Sequence, residues 1–237
     1  MSQVTVPNEA LKYILLQRTA YQHFTKTFAC RALSRVFPSL ADRCAVAMEA
    51  RLKPARIRAL YEDDMEKEYL SIRDHLPAAC ASILDIGCGV AGIDVFLARH
   101  YLNAPPVFYL LDKTRMERSV FYGFKPRGAF YNSLDVAKSL LVRNGVPEKN
   151  IHLAPATDDN DIAVSRPVDL IISLISWGFH YPVETYLDKA HAVLADKGSL
   201  ILDVRTGTNG IEALKSKFVE VQIVCAGKNY QRVLASK

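Results

Sequence analysis

The sequence predicts an α/β fold in which helices cover both faces of a mostly parallel sheet. Three observations support this prediction. From Ser82 onward, short apolar runs alternate with amphipathic stretches, which is the pattern of strands and helices that follow one another. A glycine-rich turn joins the first run to the first amphipathic stretch. The last two runs are joined by Gly227–Asn229, which is typical of a hairpin, so one strand must be antiparallel.

Seven strands are predicted from the apolar runs, at about residues 82–87, 107–112, 151–155, 168–175, 198–204, 219–226 and 229–235. Helices are predicted between them near residues 92–101, 132–145, 183–195 and 208–217. Before the sheet, apolar spacing predicts helices at about residues 8–36, 40–52 and 54–75. We therefore expect an N-terminal helical extension or lid over residues 1–78 and a sheet domain over residues 79–237.

The segment Ser82–Asp94 organises the rest of the prediction. Its order of residues predicts a strand, a tight turn through Gly87 and Gly89, and a helix. Because glycine has no Cβ, these two positions can take positive φ and let a ligand approach the backbone closely. Unpaired N–H groups at the start of the helix can then face a polar ligand. A purely structural turn is the alternative, since any tight connection of this kind favours glycine.

Two carboxylates accompany this turn. Asp85 precedes Gly87 by two residues, and Asp112 ends the second predicted strand, where an acid suits the two hydroxyls of a ribose. The element Asp85–Gly89 followed by Asp112 resembles the class I S-adenosylmethionine-dependent methyltransferase family. It is less similar to the nicotinamide-dependent dehydrogenases, which usually lack the acid before the first glycine. The resemblance covers roughly Ser82 to the C-terminus.

The resemblance implies a Rossmann-like fold, in which a seven-stranded sheet ends in a hairpin and an N-terminal helical layer often covers the active site. It implies S-adenosylmethionine as the cofactor and S-adenosylhomocysteine as the product. It also implies a set of cofactor-binding residues: Asp85, Gly87, Cys88, Gly89, Asp112, Lys113, Thr157, Asp158 and Ser173. Structural alternatives are a helix cap at Asp85 and a solvent-facing strand end at Asp112.

An aromatic segment follows the fourth predicted strand, at the place where the family puts substrate and catalytic residues. It lacks the Asn/Asp-Pro-Pro-aromatic motif of methyltransferases that act on the amino groups of bases. Its aromatic side chains can wall an acceptor pocket: Trp177, Phe179 and Tyr181. His180 is the candidate catalytic base, which Glu184 or Asp203 could orient, because histidine titrates near neutrality. A histidine hydrogen-bonded beneath the aromatic residues is the alternative.

The segment Thr114–Tyr131 interleaves basic and aromatic residues and is long for a connection within a compact domain. That composition suits an anionic acceptor, such as a phosphorylated or nucleotide-linked sugar, and also single-stranded nucleic acid. Tyr131, at its end, is therefore a candidate acceptor-binding residue. A short amphipathic helix on the sheet edge is the structural alternative.

The length and composition of the chain limit the kinds of protein that it can be. The chain has 237 residues, half of them hydrophobic, which is enough for a sizeable core. It shows no signal-peptide pattern and no run of about eighteen uncharged apolar residues, so we expect no membrane span. Five cysteines without a CxxC pair fit a reducing, cytoplasmic compartment. Residues 1–60 carry ten Lys/Arg against three Asp/Glu, which suits nucleic acid or an anionic surface, or a solvated helix face.

These observations predict a cytoplasmic methyltransferase that acts on a small or medium-sized polar acceptor, with oxygen favoured over nitrogen. The overall pattern resembles enzymes that methylate sugar or surface-glycan precursors. The alternatives are an RNA methyltransferase, a non-catalytic module that keeps the cofactor fold, and a nicotinamide-dependent oxidoreductase. No metal site is predicted, because the aspartates after Thr157 are typical of a solvated turn. The sequence leaves the oligomeric state open.

Overall fold

The computed structural model describes residues 3–27, 30, 38–114 and 132–237. Its centre is a seven-stranded sheet, so the predicted fold class is confirmed. An eighth strand, β5, packs beside β6. The strands are β1 Ser82–Ile86, β2 Val107–Asp112, β3 Ile151–Pro155, β4 Val168–Ser173, β5 Ser176–Tyr181, β6 Leu194–Arg205, β7 Glu220–Ala226 and β8 Tyr230–Ser236.

The strand order is β3-β2-β1-β4-β6-β8-β7. Strands β1, β2, β3, β4 and β6 are parallel, whereas β8 is antiparallel to both β6 and β7. The N–H of Gly227 donates to the carbonyl of Tyr230 at 2.9 Å and closes the predicted hairpin. From β1 the chain builds the sheet outward through β2 and β3, and then returns to the other side through β4. Open sheets of this kind bind ligands beyond the carboxyl ends of the strands at such a reversal.

Helices cover both faces of the sheet: α1 Leu11–Gln17, α2 Pro38–Leu52, α3 Pro54–Ile72, α4 Gly92–His100, α5 Leu134–Arg143, α6 Leu187–Val193 and α7 Gly210–Lys215. Successive strand residues point to opposite faces. Ile83 therefore joins the apolar cluster with α1, α3, α4 and α5, and Leu84 joins the cluster with α6 and α7. Within the described ranges, no helix is long and apolar enough to cross a lipid bilayer.

The N-terminal helices share the core of the sheet. Leu11, Ile14 and Leu15 of α1 are almost completely buried in the same cluster as Ile83 of β1. The division between residues 78 and 79 remains a prediction, but the described helices before it contribute directly to the packing of one sheet face.

The predicted helix over residues 8–36 is wrong in its extent. The α-helix ends at Gln17, and short 3₁₀ turns follow it. The reason is tertiary: the fully buried carboxylate of Glu49 accepts the N–H groups of His23 and Phe24 at 2.8–3.0 Å. These bonds satisfy backbone donors that a continuous helix would have paired internally.

Part of the positive charge in the first 60 residues is neutralised inside the protein. Arg18 pairs with Asp64 at 3.3 Å, and Arg56 pairs with Glu49 at the same distance. Tyr21 also donates its hydroxyl to Asp64. These contacts join the N-terminal segment to α2 and α3, so two of the ten basic residues take part in packing.

The fourth strand ends earlier than predicted, at Ser173 rather than residue 175. Ile175 takes a left-handed backbone conformation with φ of 52°, and the chain resumes as β5, where the sequence predicted a connection. The Ser173 hydroxyl donates to the carbonyl of Ile86 at 2.6 Å and accepts the N–H of Trp177 at 3.0 Å. The side chain of Ser173 thereby ties the end of β1 to the start of β5.

Candidate functional site

The glycine turn lies at the carboxyl edge of the sheet, between β1 and α4. The N–H of Gly87 donates to the carbonyl of Leu111 at 2.7 Å, which fastens the turn to β2. Gly87 and Gly89 have φ of 79° and 56°, in the left-handed region that favours glycine. A Cβ at Gly87 would also collide with the hydroxyl of Ser176. The sequence-based prediction of a tight turn here is confirmed.

Asp112 lies directly against this turn. One carboxylate oxygen accepts the N–H of Gly89 and the side-chain amide of Asn132, each at 2.9 Å. The other accepts the N–H of Lys113 at 2.6 Å. Burial raises the pKa of Asp112 to about 6, and these three hydrogen bonds oppose the rise. The glycine turn and Asp112, which together carry the family resemblance, therefore form one site.

A second buried acid lies beside Asp85. Asp94, in the first turn of α4, is fully buried, and within the described part of the chain neither of its carboxylate oxygens has a hydrogen-bond partner. Burial, and then the nearby Asp94, raise the pKa of Asp85 well above its ordinary value. Burial raises the pKa of Asp94 to about 7. The two acids titrate as a pair that holds a proton near neutral pH.

The remaining predicted cofactor residues differ in exposure. The Cys88 side chain is buried, and burial together with the surrounding carboxylates raises the pKa of its thiol far above the ordinary value, so it stays protonated. Asp158 is fully exposed and pairs with Lys113 at 3.5 Å, next to Asp112. The Thr157 hydroxyl accepts the N–H of Asp161 at 3.1 Å and shapes the loop after β3. This loop therefore lies beside the end of β2.

Ser173 is a predicted cofactor-binding residue, and the structure places a second serine, Ser176, closer to the glycine turn. Ser173 is fully buried, and its hydroxyl is engaged by backbone groups on both sides. Ser176 instead presents its hydroxyl to the glycine turn, at Gly87. Ser176 is therefore the serine at the point where β5 meets the glycine turn.

His180 lies on β5 at the same edge of the sheet. His180 is exposed to solvent, but the surrounding protein removes part of the hydration of its ring. This loss of hydration, and then the charge of Arg205, lower the pKa of His180, which favours the neutral imidazole at pH 7. The guanidinium of Arg205 lies over the Phe179 ring at 5.1 Å, and Tyr230 meets that ring edge-on at 6.4 Å. The strand thus presents a neutral imidazole beside an aromatic and cationic cluster.

Neither predicted partner orients His180. Asp203 is fully buried and bound to Arg232, and Glu184 is exposed. Among the residues that the structure describes, no hydrogen bond to the His180 ring is formed. The aromatic ring of Phe179 and the charge of Arg205 define its surroundings instead.

Trp177 does not line an open pocket in this structure. Its ring is fully buried between the sheet and α6, where its indole N–H donates to the carbonyl of Val183 at 2.8 Å. Phe179 and Tyr181 are only partly buried, so they are the members of the predicted aromatic set that reach the surface. Tyr131 lies outside the described residues, as does the rest of the 115–131 segment.

Four polar residues near the turn were not predicted: Gln17, Asp94, Asn132 and Ser176. An amide at the end of a helix, an acid in a first turn and a serine in a connection are all ordinary in those positions. The one feature that these four residues share in the sequence is that each is polar. In the structure, each belongs to a segment that packs at the edge of the sheet. Their convergence depends on packing between distant segments.

No family model matches the chain, and no curated protein does. Solved structures match its fold. An O-methyltransferase family protein from Burkholderia thailandensis aligns with a TM-score of 0.52 and 11% identity over 80% of this chain and 62% of that one. A SAM-dependent methyltransferase from Aquifex aeolicus aligns with a TM-score of 0.50 and 15% identity over 74% of this chain and 97% of that one. The protein has the class I S-adenosylmethionine-dependent methyltransferase fold.

The class I methyltransferase fold is shared by proteins with different acceptors. The T. thermophilus 16S rRNA N2 G1207 methyltransferase, solved with AdoMet and guanosine, aligns with a TM-score of 0.50 and 15% identity over 71% of this chain and 41% of that one. Identities of 11–15% establish the fold, and the roles of individual residues depend on the geometry described above.

Proposed function

We propose that this protein is a cytoplasmic methyltransferase that transfers the methyl group of S-adenosylmethionine to an oxygen of a small or medium-sized polar acceptor. One observation carries the proposal: the carboxylate of Asp112 accepts the N–H of Gly89 at 2.9 Å, at the point where the sheet reverses its order. An acid that binds a ribose diol is thereby held against a backbone turn that a ligand can approach closely.

The proposed cofactor site follows the carboxyl edge from β1 to β3. Asp112 would accept the ribose hydroxyls, and the loop that carries Asp158 would lie beside the adenine. The buried acid pair of Asp85 and Asp94 supports a place for the cationic amino group nearby, because a positive charge compensates buried carboxylates that otherwise retain a proton. Gly87 and Gly89 would let the cofactor lie against the backbone.

The chemistry that the bound cofactor supplies is a methyl group on a sulfonium, ready for transfer to a nucleophile. The chain has to hold the acceptor oxygen in line with that methyl, which lowers the barrier by proximity. His180 would take the hydroxyl proton on a ring nitrogen as the oxygen forms its new bond to carbon. Its lowered pKa supports this role, because only the unprotonated imidazole accepts a proton.

The residues around His180 favour a polar acceptor that can carry negative charge. Phe179 and Tyr181 offer aromatic surface on which a sugar ring can pack. Arg205, which lies over Phe179 at 5.1 Å, supplies the cation that an anionic substituent would meet. This combination supports a sugar-like or phosphorylated acceptor.

RNA is the alternative acceptor. The basic bias of the N-terminal 60 residues first suggested it, but Arg18 and Arg56 are paired with acidic residues. An RNA methyltransferase would bind its acceptor with a steep dependence on salt concentration. A non-catalytic module would bind the cofactor, or nothing, without turnover on any acceptor.

Thermal unfolding with single ligands tests the proposal. S-adenosylhomocysteine and S-adenosylmethionine should each raise the melting temperature by several degrees, since a ligand at 100 times its Kd adds about 2.7 kcal/mol to the folded state. NAD and NADP should produce no shift. A shift with NAD alone would replace the proposal with an oxidoreductase, and no shift with any ligand would favour a non-catalytic module.

A further inference from the structure

Asn132 lies at the entrance to α5 and is only 4% exposed. Its amide nitrogen donates to the same Asp112 oxygen that accepts the N–H of Gly89, and both distances are 2.9 Å. One carboxylate oxygen thus receives two donors, from the glycine turn and from the segment before α5. These two donors hold the carboxylate from two sides and thereby restrict rotation about the side-chain bonds of Asp112.

Gln17, at the end of α1, continues this chain of contacts. Its amide nitrogen donates to the side-chain oxygen of Asn132 at 3.5 Å. Its own side-chain oxygen lies 2.9 Å from the place that a Cβ on Gly89 would occupy. The amide therefore covers the glycine turn on the side where Gly89 lacks a Cβ. Because this amide is the far end of a flexible side chain, rotation can uncover the turn without backbone movement.

We propose that Asn132 is a positioning residue that holds the Asp112 carboxylate for the cofactor ribose, and that Gln17 is a movable cover over the adjacent turn. This inference rests on the proposed function. Asn132 acts through Asp112 and keeps its contact when the cofactor binds. Gln17 swings off Gly89 to admit the cofactor.

The electrostatics of Asp112 give this role a measurable signature. Its titratable neighbours are Asp85 and Cys88 on the glycine-turn side and Tyr186 from the segment before α6. At its own strand end, the ammonium of Lys113 pairs with Asp158. Burial keeps the Cys88 and Tyr186 groups protonated, so neither adds a charge near neutral pH.

Burial raises the pKa of Asp112 to about 6, and the hydrogen bond from Asn132 is one of three that oppose the rise. Removal of this donor therefore raises the Asp112 pKa further. The carboxylate must be ionised to accept both ribose hydroxyls. Loss of Asn132 should thus move the pH below which cofactor affinity declines to a higher value.

Calorimetric titration with S-adenosylhomocysteine between pH 5.5 and 8.5 tests the proposal. Asn132→Ala should weaken affinity about tenfold at pH 7, and its affinity should decline from a pH about one unit higher than in the wild type. Asn132→Ser, which keeps a shorter hydroxyl donor, should recover part of this loss. Asn150→Ala is the matched control, because Asn150 contacts backbone carbonyls at the opposite end of β3 and should leave both quantities unchanged.

Gln17→Ala should have a different signature. Stopped-flow measurement should show several-fold faster association of S-adenosylhomocysteine, with no change in the pH dependence. Gln222→Ala, on the edge strand β7, is its control.

Four outcomes separate the inference from the proposed function. Wild-type affinity and pH dependence in Asn132→Ala would overturn the role of Asn132, and an unchanged association rate in Gln17→Ala would overturn the cover. Equal losses in the alanine and serine variants at every pH would show that Asn132 only supports the fold. Failure of the wild-type protein to bind S-adenosylhomocysteine at any pH would overturn the proposed function, and this inference with it.

Discussion

The carboxylate of Asp203 receives two hydrogen bonds from the guanidinium of Arg232, each 2.7 Å long, and both residues are buried. The same guanidinium binds Glu68 at 2.6 Å and the hydroxyl of Ser71 at 2.5 Å, both on α3. Asp203 also accepts the N–H of Ile175 at 3.0 Å, in the strained turn before β5. One ion pair therefore connects the N-terminal helical layer, two central strands and the segment that carries His180.

Asp203→Asn should lower the free energy of unfolding by about 3 kcal/mol, because the buried guanidinium then keeps Glu68 as its one carboxylate partner among the described residues. Urea denaturation followed by circular dichroism measures this quantity. Arg73→Ala breaks an exposed ion pair with Asp74 and is the control, for which we expect no measurable change. Equal effects in the two variants would contradict the importance of burial for the Asp203 pair.

Gly87→Ala should destabilise the protein more than Gly145→Ala. Both glycines have positive φ, 79° and 92°, so each substitution carries a backbone cost of about 1–2 kcal/mol. Only at Gly87 does the added Cβ collide with another side chain, that of Ser176, whereas the space around Gly145 is open. Denaturation should show the larger loss of stability in Gly87→Ala. Titration with S-adenosylhomocysteine should show a loss of binding in Gly87→Ala alone.

Asp112→Ala should weaken S-adenosylhomocysteine binding by about 1.5–3 kcal/mol, because a charge-assisted contact with the ribose is lost. Isothermal calorimetry at pH 8, where the wild-type carboxylate is ionised, measures the change. Asp196→Ala removes an exposed acid in the long strand β6 and serves as control. An unchanged dissociation constant in Asp112→Ala would remove this residue from the cofactor site.

His180→Gln should reduce kcat by about 10²–10⁴-fold on the acceptor once it is found, and leave S-adenosylhomocysteine affinity unchanged. Loss of hydration and the charge of Arg205 lower the His180 pKa, so the acidic limb of the wild-type pH–rate profile should lie below the ordinary pKa of histidine. This acidic limb should vanish in the variant. His152→Gln, on the edge strand β3, is the control. A loss under threefold would leave positioning alone as the source of catalysis.

Asp94→Asn should stabilise the protein at pH 8 by an amount on the order of 2 kcal/mol. The folded-state pKa values of Asp85 and Asp94 are both raised, so between about pH 4 and 7 the folded state holds protons that the unfolded state releases. Wild-type stability therefore falls as the pH rises through this range. The neutral amide of the variant avoids the cost of a buried charge. Urea unfolding at pH 5.5 and pH 8 should therefore show that the free energy of unfolding of the variant depends less on pH. A parallel decline in both proteins would mean that Asp94 does not titrate in this range.

Much of the fold was predictable from local sequence, and so was the half of the candidate site that the glycine turn and Asp112 form. The run into Gly87, the turn through Gly89 and the strand that ends at Asp112 occupy the predicted places, because each depends on residues a few positions apart. The end of the first helix was not predictable. It is set by the carboxylate of Glu49, which lies 26 residues beyond the N–H group of His23 that it accepts.

The second half of the candidate site shows why acceptor residues are harder to predict. Trp177 and Phe179 both look like pocket aromatics, yet one is fully buried and the other is partly exposed. The difference arises because the chain turns at Ile175 and resumes as a strand beside β6. Gly178, with φ of 80°, then interrupts the strand between the two rings. Trp177 packs into the apolar cluster with α6, whereas Phe179 lies against Arg205 and Tyr230.

By itself, the sequence determined the order of strands and helices, the glycine turn and the acid at the end of β2, since hydrophobic periodicity and the missing Cβ of glycine act locally. Only the tertiary structure decided that Gln17 meets Asn132, 115 residues away, that Asn132 binds Asp112, and that Arg232 binds Asp203. The physical reason is that polar partners between distant segments are selected by sheet order and helix packing, where burial makes an unpaired donor or charge costly.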